Sequence, residues 1–71
     1  MDPNQNLRDQ ERILHKRKTE THLPSNYGAV RLTVLRQALA GWLARGGFEP
    51  DWTTCPMAAK AFKAWQRKQA A

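Results

Sequence analysis

Val30-Arg31-Leu32-Thr33-Val34-Leu35-Arg36-Gln37-Ala38-Leu39-Ala40-Gly41-Trp42-Leu43-Ala44-Arg45-Gly46-Gly47-Phe48 is the one long stretch of this sequence with a clear period. Val30, Val34, Leu35, Ala38, Leu39, Trp42 and Leu43 step by four, one, three, one, three and one, the spacing of an apolar stripe on an α-helix. All other segments are short, polar or basic, so the core is expected to form against this helix. Gly46-Gly47 supplies its stop, because glycine takes positive φ at no steric cost. With Gly47 in that role, Phe48 is placed to cover Leu43. Gly41 lies inside the helix, where it costs up to ~1 kcal/mol relative to alanine. It sits among small residues, Ala38 and Ala44, a place for another backbone to approach or for simple tolerance on an exposed face.

Downstream, Phe48-Glu49-Pro50-Asp51-Trp52-Thr53-Thr54 reads as a connection, with Pro50-Asp51 favouring a turn. It is longer than the turn of about 3–4 residues in a DNA-reading helix-turn-helix. Thr53-Thr54-Cys55-Pro56 reads as a helix start: a threonine or Cys55 caps, and Pro56 lies in the first turn, where its missing N–H does no harm. The last helix carries an apolar stripe of Met57, Ala58, Ala61, Phe62 and Trp65, opposite Lys60, Lys63, Arg67 and Lys68.

Upstream, Pro24 ends the first segment and Ser25 and Asn26 are competent N-caps for the central helix. Residues 7–22 are good helix formers with few apolar side chains: Leu7, Ile13 and Leu14. Three such residues bury little, so this segment is expected either to dock or to remain a mobile arm that orders on binding. Residues 1–6 are expected to fray, although Asp2-Pro3 is a competent cap and first position. The fold class is therefore all-α: a small bundle of two to three helices over about 7–22, 27–46 and 55–69. It forms one domain across 1–71, with its helical core in 25–69.

Size and charge narrow the function classes. A chain of 71 residues buries only about 60% of its unfolded surface and is marginal alone. One cysteine excludes an internal disulfide, and Cys55, His15 and His22 lack paired metal-ligand spacing. Extra burial is then expected from self-association, a homodimer by default, or from a larger partner. Residues 1–26 carry five Lys/Arg against four Asp/Glu, a net of +1; residues 27–71 carry seven against two, a net of +5. No signal peptide or membrane span is read from the sequence, and the single free cysteine suits a reducing cytoplasm.

Catalysis has little to work with. Cys55 with His15 or His22 is the only formal nucleophile and base, and a space-filling cysteine is the commoner role. No glycine-rich phosphate loop is present, and Glu49 and Asp51 pair with nothing, so no enzyme, cofactor or metal is expected. Cys55-Pro56 opening a helix that carries Trp65 resembles the ribosome modulation factors, small basic ribosome-binding proteins. That resemblance covers two residues and a tryptophan spacing. The glycine-containing first helix of that family has no counterpart here, so no family is assigned from it.

Two binding readings follow. In the first, small size, a marginal core and three tryptophans suit a protein that acts through protein–protein contacts, as an inhibitor, adaptor or anti-activator of the kind phages and mobile elements encode. Leu32, Arg36, Gly41 and Trp42 on the central helix are its candidate contacts. In the alternative, a nucleic-acid-binding regulator uses Lys60, Lys63, Arg67 and Lys68, with Lys16, Arg17 and Lys18, against phosphates. The bland reading of each basic row is a solvated face, or cations placed at a helix C-terminus. Binding of the last helix to a membrane surface is a third reading, and it requires that helix to leave the core.

Overall fold

The computed structural model describes residues 1–70, and it is all-helical: α1 (Pro3–Thr19), α2 (Ala29–Ala44), a 3-10 turn (Trp52–Thr54) and α3 (Pro56–Ala70). Among these residues there is no strand. The helix expected over 27–46 and that over 55–69 stand within two residues of their expected bounds. The first differs more. It starts at Pro3, with the Asp2 carboxylate accepting the N–H groups of Asn4 and Gln5 at 3.0 and 3.3 Å. Residues 3–6, expected to fray, are its first turn, because the cap and the proline together satisfy the open N–H groups there. It stops at Thr19 rather than residue 22, where the Glu20 N–H closes on the Lys16 carbonyl at 3.0 Å and Lys16, Arg17 and Lys18 face the negative helix end.

The organising element is α1, not α2. It packs against both other helices, and residues 3–19, expected to dock weakly or hang free, are docked. Polar side chains do much of this. Asn6 and Gln10 are buried one turn apart: the Asn6 amide donates to the Leu35 carbonyl at 3.0 Å, and the Gln10 amide donates to Asn6 Oδ1 at 2.7 Å. Asn4 Oδ1 accepts the Asp51 N–H at 2.7 Å, and Glu11 Oε1 accepts the Ala58 N–H at 2.7 Å. Each contact satisfies a backbone group of a different segment, so α1 fastens α2, the 48–54 connection and α3 in turn.

Below this polar seam lies the apolar core of Leu7, Leu39, Cys55, Ala58 and Phe62. Phe62 is fully buried and stacked between Trp52 and Trp65, with ring centroids 5.7 and 5.8 Å away. Removing a ring so enclosed costs about 3–5 kcal/mol.

Both ends of α2 depend on glycine. Gly28 holds φ 72° at its start, and no side chain caps it, so neither Ser25 nor Asn26 serves as expected. A Cβ on Gly28 would clash with Ile13 Cγ2, so α1 lies against this backbone. At the other end the left-handed residue is Gly46, at φ 86°, rather than Gly47. Its N–H reaches the Leu43 carbonyl at 3.1 Å, and that of Gly47 the Trp42 carbonyl at 2.9 Å, the paired bonds of a Schellman stop. Phe48 meets Trp42 edge-on at 5.6 Å and stays 61% exposed.

Candidate binding faces

The apolar surface of α2 divides into two seams. Leu32, Leu35 and Leu39 turn inward and are buried, with Leu43 half-buried beside the core. Val30, Val34 and Ala38 turn outward and are exposed, Val30 by 80% and Val34 by 56%. These three, with Trp42, recur every four residues and form one ridge along the helix. This corrects the expected stripe: of its members Val30, Val34 and Ala38 face out, and Leu32, which the stripe left out, is buried beside Leu35 and Leu39.

This division corrects one expected contact. Leu32 is 2% exposed and belongs to the inner seam, so it offers nothing to a partner. Gly41 and Trp42 are half-buried. The Trp42 indole N–H donates to the Phe48 carbonyl at 2.9 Å, and its ring lies where a Cβ on Gly47 would fall, so it is fixed in place by the helix stop. Gly41 has ordinary space: a Cβ there would meet only Arg45 Nη1, at 3.8 Å. Arg36 is half-buried, and its Nε is enclosed without a hydrogen-bond partner. Burial, and then the neighbouring Arg17 charge, hold the Arg36 guanidinium below its ordinary pKa.

The basic residues are exposed, and some carry local packing. Lys16 Nζ stands 5.4 Å from the Tyr27 ring centre, Arg17 reaches the Ser25 carbonyl at 3.4 Å, and Lys18 is exposed beside them. On α3, Lys60, Lys63, Arg67 and Lys68 are all exposed, with Lys63 Nζ 5.0 Å from the Trp52 ring centre. Lys60 also borders an apolar groove between α1 and α3, formed with Leu14, Met57, Ala61 and Ala64. Four acidic side chains are turned to internal uses: Asp2 caps α1, Asp9 lies 3.9 Å from Arg12 and 4.0 Å from Arg31, Glu11 caps α3, and Asp51 accepts the Thr53 N–H. The positive excess is thereby left on the outside.

Comparison with family models, with curated proteins and with solved structures found no match in any of the three.

Chemistry of the other candidates is restrained by burial. Cys55 is 3% exposed inside the core cluster, while His15 and His22 are exposed. Its carbonyl accepts the Ala59 N–H at 2.9 Å and opens α3. Trp65 has one face on Phe62, so only its far side is open to a base or a lipid. For α3 to lie on a membrane surface, Phe62 would have to leave the centre of the core. Among the described residues no helix is long and apolar enough to cross a membrane.

The signal for the outer seam was present in the sequence. Apolar residues occur on every side of α2, and a helix of that kind is normally covered all round. Asn6 and Gln10 carried no comparable signal, because buried amides look the same in sequence as solvated ones.

Proposed function

We propose that the protein is a non-enzymatic binding module that acts through protein–protein contacts, with the outer face of α2 as its contact surface. The observation that carries this reading is the ridge Val30, Val34 and Ala38: apolar, exposed, and on a helix whose opposite side already serves the core. Rigid helical presentation of such a ridge lowers the ordering cost of binding. Arg36, Gly41 and Trp42 border it; Leu32 does not. The test is retention of partners by the full chain in the presence of nuclease. One protein partner should be kept by the wild type and lost with Val34→Glu. Loss of every partner on nuclease treatment refutes the reading.

A second reading has its own observation. With Asp2, Asp9, Glu11 and Asp51 engaged internally, Lys60, Lys63 and Arg67 form an exposed row on α3 fit to follow a phosphate backbone. Binding to duplex DNA would then weaken with salt at a log–log slope of about −0.9 per phosphate contacted. An interaction that barely changes with salt excludes it.

A further inference from the structure

We infer that the occupant of the α2 ridge is an amphipathic helix of a different protein, with a seam of aliphatic side chains flanked by Asp and Glu. This rests on the protein-binding reading above and names the chemistry of its partner.

The shape of the surface selects a helix. Val30, Val34, Ala38 and Trp42 form a ridge of the i±4 type, which packs into the matching groove of a facing helix. From Val30 to Ala38 the exposed part of the ridge runs about 12 Å, so some two turns of partner helix cover it; Trp42, at its end, packs against the core. Ala38 within the ridge and Gly41 beside it keep the surface low. Nothing within the chain requires glycine at 41, since φ there is not positive and a Cβ would meet only Arg45 Nη1 at 3.8 Å. A helix-interior glycine without an internal reason weakens its helix, and close approach of a second backbone gives it a purpose.

Charge selects the partner. The sequence of α2 contains Arg31 and Arg36 and no acidic residue, and Arg45 follows immediately. Arg31 and Arg45 are exposed and stand at the two ends of the ridge. Asp9 lies 4.0 Å from Arg31 but is shared with Arg12, and the nearest acid beyond the helix is Glu49, next to Phe48. A second copy of this chain pressed ridge to ridge would bring Arg31 and Arg45 of both copies together, against only Asp9, already shared, and Glu49. Like charges so placed disfavour the wrong partner, which argues against the homodimer expected from size alone. Carboxylates flanking an aliphatic seam would instead meet arginine at both ends.

The experiment places a photoreactive p-benzoylphenylalanine at Val34 in the full-length chain, irradiates in cells, and maps the crosslinked peptide by mass spectrometry. The expected adduct lies in an amphipathic helical segment of another protein with Asp or Glu beside the seam. Arg45→Glu, which breaks no ion pair among the described residues, should reduce the adduct about tenfold, with the circular dichroism spectrum unchanged. A crosslink to a second copy, to nucleic acid, or to a segment without acidic flanks overturns the inference, as does an adduct indifferent to Arg45→Glu. If a partner survives nuclease and is lost with Val34→Glu, yet the mapped segment is not an acidic helix, the inference falls while the protein-binding reading stands. Absence of any adduct, with no partner retained, removes both.

Discussion

The Glu11 carboxylate accepts the backbone N–H of Ala58 at 2.7 Å, so a side chain of α1 caps the start of α3 from 47 residues away. Ala58 is the third residue of α3, where an N–H has no partner within the helix. The negative charge also faces the positive end of the helix dipole. One residue thus joins the two helices and completes one of them. Glu11→Ala should lower stability by about 1–2 kcal/mol, the range of a lost N-terminal cap. Glu11→Gln keeps an oxygen acceptor and should recover part of it. Urea unfolding reads both; a midpoint unmoved by Glu11→Ala contradicts the cap.

The buried pair Asn6 and Gln10 should behave as a unit. Asn6→Leu deletes the bond to the Leu35 carbonyl and leaves the Gln10 amide enclosed without its acceptor. The cost should be about 1–3 kcal/mol. Gln10 Oε1 already lacks a partner in its buried position, so Gln10→Met removes an unsatisfied group as well as a bond. The double variant Asn6→Leu/Gln10→Met should therefore be more stable than Asn6→Leu alone. A double-mutant cycle by denaturant unfolding checks this, and simple additivity of two losses would contradict it.

These polar contacts explain why the order of importance of the helices was hidden in the sequence. The helices over 29–44 and 56–70 were legible because apolar periodicity and the punctuation of Gly46-Gly47 and Cys55-Pro56 mark them directly. The start of α1 was expected at residue 7, although Asp2-Pro3 carried the signal of a cap and first position. The central position of α1 was not legible, since periodicity counts apolar residues and α1 docks through Asn4, Asn6, Gln10 and Glu11 around the buried Pro3 and Leu7. The site fared similarly: Leu32 and Val34 fit an apolar helix equally well, and only the position of α1 decides that Leu32 is covered and Val34 is not.

Gly28 and Gly41 should respond oppositely to alanine. At Gly28 the left-handed backbone costs an L-residue about 1–2 kcal/mol, and the clash of an added Cβ with Ile13 Cγ2 adds to it. Gly28→Ala should lower the melting temperature clearly. At Gly41 the backbone is helical and the space is open, so Gly41→Ala should stabilise by up to about 1 kcal/mol. The same change should weaken partner retention, because it raises the surface beside the ridge. A destabilised Gly41→Ala would mean that α2 is packed more closely there than its contacts show.

Arg36 should be dispensable for folding. Burial and the Arg17 charge disfavour its charged form in the fold relative to the unfolded chain. With the folded pKa lowered, that penalty is fully present below the folded pKa and fades as pH rises through it towards the unfolded value. An arginine side chain stays protonated in proteins, so at neutral pH the penalty is present in full. Arg36→Met fills the same space, removes the enclosed Nε and lifts the penalty. Its urea midpoint at pH 7 should equal or exceed that of the wild type, and a clear decrease would show that Arg36 holds the fold through a contact of its charge.

Val34 and Leu35 are neighbours in sequence with opposite expected fates. Val34 is 56% exposed on the outer ridge, whereas Leu35 is 8% exposed and its carbonyl receives the Asn6 amide. Val34→Glu should change stability by no more than about 0.5 kcal/mol, as surface substitutions do. Leu35→Ala should cost about 2–5 kcal/mol, as loss of a buried leucine side chain does. Partner retention should show the reverse dependence when measured on folded protein: abolished by Val34→Glu, and preserved in whatever fraction of Leu35→Ala remains folded. Equal effects of the two on stability would place both residues in the core and leave α2 without a free face. Equal effects on retention, with Val34→Glu fully folded, would place the contact surface elsewhere on the molecule.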